Sequence, residues 1–402
     1  MGAFPTAWPE GIAGNNHKAE RDMSAQSVLI LTSDTGGGHR SAAHALETSL
    51  MNIDPERIFV KVSQVLEEAT VMSRKMADLY NYLLREHQDW MKYYYSAINL
   101  LKPNESAVLF RSALGYGQQM LEKVCPSAIV SVHPMTQHFF AYVMRKLGVK
   151  GKIPFYTVVT DPCAGFWRGW ACDDVDLYYV ASEDARSQLI DYGIGSHKIR
   201  IAGMPVHRRF MPAEEAQRRA LREGLGLDPE RFTVFLNSGW IGGGNVPQIY
   251  EALAKANLPN IQAVFLAGKN EKLIQKGHEI AATAPFPVKV VGYTSEIENL
   301  MNASDVMVTK MGGLTTFEAL ACNLPIIADA VTEPMPQEAN TGRFLTTTGA
   351  GLLLDSPGRI VSVVESLSNS PQQLARMRQA ANTHARAGAS DRIARDVINQ
   401  LQ

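Results

Sequence analysis

Residues Val28 to Ser49 read VLILTSDTGGGHRSAAHALETS: an apolar run, three glycines, a histidine and a string of small helix formers. A continuous apolar run such as Val28-Leu29-Ile30-Leu31 has the character of a strand buried on both faces, and Ser41 to Leu50 reads as a helix. Gly36, Gly37 and Gly38 permit a sharp turn between the two and let a ligand approach the main chain. Gly37 and Gly38 are therefore candidate contacts to an anion held at the helix N-terminus. A positive helix end disfavours the imidazolium, so His39 is expected to stay neutral and able to accept a proton, the state a general base needs. The alternative is a loop histidine that caps or packs. The spacing is neither Gly-x-Gly-x-x-Gly nor a loop ending in Gly-Lys-Ser/Thr, which argues against a nicotinamide site and a Walker ATPase.

Two more turns of this kind follow apolar runs. Asn237 to Asn245 comes after Thr233–Leu236 and offers Ser238, Gly239 and Trp240. Lys310 to Glu318 comes after Val306–Thr309 and offers Gly312, Gly313, Thr315 and Thr316. Two anion-binding turns in one domain suit a diphosphate. Thr315 and Thr316 either donate to phosphate oxygens or cap the helix. Glu318, about one turn further on, either accepts two hydrogen bonds from a ribose diol or only complements the helix dipole. His133, after Ala128–Val132, either borders an acceptor pocket or makes a structural hydrogen bond. Asp161, after Phe155–Val159, either orients His39 or contacts acceptor, or it caps a helix.

These residues are spaced by a regular alternation of short apolar runs and helical stretches. In the first half the strands are expected at Val28–Leu31, Phe59–Val62, Ala128–Val132, Phe155–Val159, Leu177–Ala181 and Ile199–Ile201. In the second half they fall at Thr233–Leu236, Ala263–Ala267, Val288–Val291, Val306–Thr309 and Leu324–Ile327. The pattern predicts an α/β protein of two doubly wound, Rossmann-like domains facing a central cleft, with ligands at the strand carboxyl ends. The segments Gly203–His207 and Phe210–Pro212 read as the crossing. We divide the chain into a disordered leader (1–24, with Met23 a possible true start), an N-terminal acceptor and membrane-binding domain (25–205), a C-terminal donor-binding domain (206–385) and a C-terminal helix (386–402).

A chain of 402 residues with 46% hydrophobic and 20% charged residues is globular and long enough for two cores. Lys+Arg 39 against Asp+Glu 40 gives no reason to expect nucleic acid. The four cysteines form no CxxC pair and have no histidine at zinc spacing, so no structural metal is expected and reduced thiols in a cytoplasmic setting are the simplest reading. Neither a spanning helix nor a signal-peptide core is evident. From about Val65 to Glu122 a helical region without a matching strand carries Tyr80, Tyr82, Trp90, Tyr93, Tyr94, Tyr95 and Phe110 among basic residues. It either lies at a headgroup-level membrane surface, with Trp90, Tyr93 and Tyr94 as contacts, or simply covers the N-terminal sheet. The cluster Arg208, Arg209, Arg218, Arg219 and Arg222, interleaved with glutamates, reads as a solvated helix face.

Taken in order, SDTGGGHRSAAHAL from Ser33, SVHPMTQH from Ser131, VVTDP from Val158, VASEDARSQL from Val180, IAGMPVHRRF from Ile201 and TKMGGLTTFEALACNLPII from Thr309 carry a resemblance. The chain resembles the glycosyltransferase family of plant monogalactosyldiacylglycerol synthases, bacterial processive diacylglycerol glucosyltransferases and, more distantly, the peptidoglycan N-acetylglucosaminyltransferase. The likeness runs from Val28 to about Gly351. It implies a GT-B fold and a metal-independent, inverting transfer of galactose or glucose from UDP-galactose or UDP-glucose to diacylglycerol. It also implies an enzyme held peripherally on anionic membrane lipids, without a cofactor. By position, His39 matches the family's proposed base, Tyr293 and Thr294 the segment whose backbone reads uracil, Glu318 the ribose-binding glutamate and Thr315 a phosphate contact. Gln337, Glu338 and Asn340 match the sugar-binding segment. Met335-Pro336 replaces the Pro-Gly common before that segment, and the histidine common after Thr-Asp is absent from Asp161–Trp167; both departures bear on sugar and acceptor identity. A sugar-nucleotide epimerase of the same architecture, transfer to another lipid or prenyl acceptor, and a non-catalytic nucleotide-sugar sensor are the competing readings.

Overall fold

A computed structural model of the chain describes residues 25–35, 37–239 and 244–401; the expected leader, Gly36 and Trp240 lie outside the described residues. Val, Ile and Phe suit a pleated backbone packed on both faces, and the apolar runs form strands accordingly. The first half contains β1 (Gln26–Thr32), β2 (Ile58–Gln64), β3 (Ala128–Ser131), β4 (Phe155–Val158), β5 (Leu177–Val180) and β6 (Ile199–Ile201). The second contains β7 (Phe232–Asn237), β8 (Ile261–Gly268), β9 (Val288–Gly292), β10 (Val306–Thr309), β11 (Ile326–Asp329) and β12 (Gly351–Leu354). They assemble into two six-stranded sheets, ordered β2-β1-β3-β4-β5-β6 and β12-β11-β10-β7-β8-β9. Every strand pair is parallel. All eleven expected strands are present, β11 starting two residues later than the apolar run suggested. The edge strand β12 was not anticipated, because Gly351-Leu-Leu-Leu is too short to carry a period.

Apolar side chains cover both faces of each sheet, as a doubly wound fold requires. The basic cluster departs from expectation. Arg218 and Arg222 are buried, and with Arg378 they converge on Asp305: Nη2 of each donates to its carboxylate at 3.0, 2.9 and 2.6 Å respectively. Their helix, Glu215–Gly224, is thereby tied to the strand end before β10, while Arg208, Arg209 and Arg219 stay exposed as expected, Arg219 pairing with Glu230. The final helix, Ala389–Asn399, returns to the first half, where Ile393, Ala394 and Val397 pack with Val28, Ile30 and Leu46.

Between β1 and β2 runs α1 (Gly38–Ile53); after β2 come α2 (Val65–Ala69), α3 (Val71–Glu86), α4 (Met91–Leu101) and α5 (Ala107–Ser112). A capping box between Thr70 and Ser73 starts α3. These helices do not simply cover the sheet. Val71, Met72, Leu79, Trp90, Tyr93, Leu100, Leu101 and Val108 are exposed on α3 to α5 or the turns joining them, whereas Tyr94 is half-buried and faces inward.

Candidate active site

In a parallel sheet that grows in both directions from its first strand, the loops diverge at the strand carboxyl ends and leave a crevice. In the first sheet that point lies between β1 and β3. His39 follows β1 and His133 follows β3, and their rings meet edge to face with centroids 4.6 Å apart. Gly37, at the N-cap of α1, has φ 81°, a left-handed conformation open to glycine. A Cβ at Gly38 would meet nothing within 4 Å, so no protein neighbour demands glycine there. His39 occupies the first turn of α1.

His39 Nδ1 lies 2.9 Å from the Val132 carbonyl oxygen and 2.8 Å from Thr160 Oγ1. A carbonyl only accepts, so Nδ1 carries the ring proton and Nε2 keeps its lone pair. Burial pushes the His39 pKa down to about 4, against the raising effect of the Val132 bond. His133 spends both nitrogens: Nδ1 accepts from the Met135 N–H at 3.2 Å, and Nε2 lies 3.0 Å from Thr35 Oγ1. It caps the helix Pro134–Lys146, and burial followed by proximity to His39 holds it well below the usual imidazole range.

Asp161 does not orient His39, and it caps no helix. Its Oδ2 accepts from Trp170 Nε1 at 2.6 Å, which leaves the His39 ring to Val132 and Thr160. The Trp170 ring in turn sits 6.0 Å from the His39 ring. Burial pushes Asp161 up to about 6, with the indole bond opposing.

In the second sheet the reversal lies between β7 and β10, so the two glycine turns read from sequence stand side by side. After β7, Asn237 Oδ1 accepts from the Gly239 N–H at 2.9 Å. After β10 the chain enters the helix Gly313–Ala321, whose N-cap is Gly312 with no side-chain cap. Thr315 and Thr316 are therefore not capping residues; both lie within the helix, where first-turn N–H groups lack intrahelical acceptors. Lys310, at the end of β10, lays its stem across Gly244, where a Cβ would fall 2.8 Å from Lys310 Cδ. This brings a cation between the turns.

Ser238 Oγ, Thr316 Oγ1 and Gln337 Oε1 are buried without a partner among the described residues. Buried polar atoms are nearly always bonded, so such oxygens on the turns after β7 and β10 and on the segment after β11 are available to ligand hydroxyls or hydrogen-bond donors. Burial pushes Glu318 up to about 8, Arg209 opposing and Glu298 adding. Arg209 Nη1 also donates to Ser295 O at 2.8 Å, which draws the segment Tyr293–Ser295 to the same corner. Tyr293 is exposed, with Lys269 Nζ 4.7 Å from its ring centroid, and Thr294 Oγ1 accepts from the Glu296 N–H at 3.0 Å.

The halves meet directly over this crevice. Glu338 is pushed up to about 7 by burial, with Asp161 adding and with Lys310 and the Gly313 N–H opposing. A Cβ at Gly313 would fall 2.9 Å from Pro162 Cδ. Asn340 Nδ2, expected on the sugar, instead donates to Ala164 O at 2.7 Å across the two halves.

A cavity of about 1140 Å³, its open mouth included, runs from His39, His133, Asp161, Trp170 and Gln337 into the space enclosed by α2 to α5. Its walls are mostly apolar, with Val65, Leu66, Met76, Ile98, Leu109 and Phe110 among them. Tyr80, Tyr94 and Tyr95 line the end nearest Asp161. Sequence reasoning missed Thr160 and Trp170, and it read Arg209 only as part of a solvated cluster and Tyr80 and Tyr95 only as members of an aromatic helical region, since folding alone makes the contacts of each. Lys310 was legible, as a cation at the end of a strand beside two glycines.

Comparison with known proteins agrees with this geometry. The family profile described as monogalactosyldiacylglycerol (MGDG) synthase matches residues 39–206, and that described as glycosyl transferases group 1 matches residues 222–384. The chain is 30% identical over 406 residues to the chloroplastic monogalactosyldiacylglycerol synthase of Spinacia oleracea, covering 96% of this chain and 77% of that one. It is 26% identical over 384 residues to the processive diacylglycerol beta-glucosyltransferase of Bacillus licheniformis, covering 94% and 96%. Among solved structures, Acinetobacter baumannii MurG superposes with a TM-score of 0.65 at 15% identity over 94% of this chain and 100% of that one, a likeness of fold. Its two sheets, its facing crevices and its similarity along nearly the whole length make this chain a member of the monogalactosyldiacylglycerol synthase family of GT-B glycosyltransferases.

Proposed function

We propose that the enzyme transfers a hexose from a UDP-sugar to the free hydroxyl of diacylglycerol, giving a β-glycosyl-diacylglycerol. The observation that carries this reading is His39 Nε2, an imidazole nitrogen whose lone pair has no partner among the described residues, at the junction of an apolar cavity and a pair of glycine turns. Acyl chains occupy the cavity among α2 to α5, which presents the glycerol hydroxyl to His39. Nε2 takes the hydroxyl proton as the oxygen attacks the anomeric carbon; the bond to UDP breaks, and its electron pair passes to the β-phosphate oxygen. One displacement inverts the centre, so an α-linked donor gives a β-glycoside.

Charge developing on the leaving phosphate is met by Lys310, by the N–H groups that open the helix Gly313–Ala321 with Thr315 beside them, and by the Ser238-Gly239 turn. These donors supply what a divalent cation would otherwise provide, and turnover is expected to persist in EDTA. Gln337 and Glu338 bond the sugar hydroxyls, Glu318 the ribose diol, and the main chain at Tyr293–Thr294 the uracil. Galactose and glucose both occur in the names of the relatives, and the choice rests with the turn Pro336–Glu338. Among the described residues no helix is long and apolar enough to cross a membrane. Attachment is peripheral: the exposed apolar side chains of α3 to α5 enter the interface, and exposed Arg74, Lys75, Lys92, Lys102 and Arg111 meet anionic headgroups.

The test is purified enzyme with diacylglycerol vesicles and, separately, UDP-glucose, UDP-galactose or UDP-N-acetylglucosamine, products being resolved by mass spectrometry. A hexosyl-diacylglycerol from one donor is expected. A UDP-sugar turned over equally well without lipid points to an epimerase instead.

A further inference from the structure

Ser33 and Asp34, just after β1, are held in place by a residue that the mechanism above does not use. Glu67, on the short helix α2, turns its carboxylate onto this stretch: Oε1 accepts from Ser33 Oγ at 2.7 Å and from the Asp34 N–H at 2.9 Å. Its other oxygen, Oε2, is buried with no partner among the described residues. The same turn is gripped from α3, where Asn81 Nδ2 donates to Asp34 O at 2.7 Å. The two helices are fastened to each other, since Arg74 Nε donates to Glu67 O at 2.8 Å. Thr35, the next residue, bonds His133, and Gly37 then starts the helix that carries His39.

Both helices are walls of the apolar cavity: Val65, Leu66 and Ala69 flank Glu67 on α2, and Met72, Ser73, Met76, Ala77 and Tyr80 come from α3. The side chains that would touch an acyl chain and the turn that aims the base are thus joined through one carboxylate. A serine hydroxyl and a main-chain N–H on one carboxylate oxygen fix that turn to within a hydrogen-bond length. An acceptor entering the cavity bears on α2 and α3, and through Glu67 on the turn. A base displaced by about 1 Å loses on the order of 100-fold in rate, so such a link has kinetic weight.

We propose that Glu67 is a positioning residue, coupling the seating of the lipid acceptor between α2 and α3 to the placement of the His39 imidazole. The proposal rests on the lipid-acceptor reading of the cavity. Its link to the turn is open to measurement whether or not that reading holds.

The test compares the full-length parent with Glu67→Ala and Glu67→Gln on phosphatidylcholine vesicles containing diacylglycerol, with the productive UDP-hexose. Three quantities are read: kcat and KM, the Kd for UDP by calorimetry, and amide exchange of the peptide spanning Ser33–Arg40. Glu67→Ala should lower kcat by about 10- to 100-fold with UDP affinity within about twofold of the parent. Exchange of the Ser33–Arg40 peptide should accelerate at least about tenfold. Glu67→Gln keeps an acceptor oxygen and should stay within about threefold of the parent in both. Ser33→Ala removes one of the two bonds from the other side and should move kcat and exchange in the same direction by less. Parent-like kcat and exchange in Glu67→Ala, loss of UDP affinity in step with kcat, or a glutamine variant no better than alanine would each overturn the proposal. If the parent makes no glycolipid, the acceptor reading fails by itself, and unchanged exchange in Glu67→Ala then also sinks the clamp.

Discussion

A histidine serves as a base at neutral pH only if it stays unprotonated and keeps one nitrogen free, and at His39 these conditions have separate causes. Burial lowers its pKa to about 4, and the Val132 carbonyl accepts a hydrogen bond from Nδ1–H, which leaves the lone pair on Nε2. Being active when deprotonated, His39 should impose no loss of kcat/KM until pH falls to about 4. His39→Ala should lower kcat by about two to four orders of magnitude, with UDP affinity unchanged in calorimetry. Glu318 shows the opposite case, a carboxyl raised from 4.5 to about 8 by burial. The folded chain holds this proton more tightly than the unfolded one, so the stabilising contribution is complete below pH 4.5 and lost as pH rises through about 8. Glu318→Gln should therefore raise the Tm of the ligand-free protein at pH 8.5 by about 2 °C and leave it unchanged near pH 4. The same variant should weaken UDP binding by about 10- to 100-fold if the ribose diol is its partner.

At the scale of elements, two helical assemblies whose sequences mix charge and apolar residues have opposite fates. The helix Glu215–Gly224 buries Arg218 and Arg222 because Asp305 supplies a carboxylate for both, and for Arg378, at a strand end. Asp305→Ala leaves these cations uncompensated and should destabilise the C-terminal half by about 3–5 kcal/mol in urea unfolding. Helices α4 and α5 do the reverse and expose what they could have buried. Leu100 is 83% exposed, Leu101 76% and Val108 77%, beside the cavity that Ile98 and Leu109 line. Replacing Leu100 and Leu101 together by Glu should reduce co-sedimentation with anionic vesicles at least about tenfold, given about 1.5–3 kcal/mol per apolar side chain inserted. UDP affinity should not change.

Across the whole molecule, the two halves meet at the crevice with almost no clearance. Gly313 abuts Pro162, Asn340 bonds Ala164, and Cys163 from the first half is buried in the apolar core of the second. The chain crosses between the halves twice, and the crossings touch: Gly203, with φ +96°, has Arg386 Cβ 2.8 Å from where its own Cβ would be. Arg392 Nη2 from the last helix donates to Ala202 O at 2.8 Å. Gly313→Ala forces a methyl against the Pro162 ring and should hold the halves apart. A fall in kcat of about tenfold or more is expected, with a Tm near that of the parent; unchanged kcat would mean that this contact does not govern the reaction.

The alternation of apolar runs with helix formers determined the two parallel sheets, because strands buried on both faces leave continuous hydrophobic signatures that need no knowledge of partners. Glycine turns after strands located His39, Gly312, Gly313 and Glu318 for the same reason: turn chemistry is local, and it marks the strand carboxyl ends where ligands bind. What the sequence left open depended on partners far along the chain. Whether Arg218 meets solvent or Asp305, whether Asp161 serves His39 or Trp170, and whether Asn340 bonds sugar or Ala164 are decided by residues that only folding brings together. The apolar cavity belongs to the same class. No stretch between Val65 and Phe110 is apolar enough to announce it: α2 to α5 enclose it while Val65 and Phe110 also join the core on the sheet, and His39 stands at one end.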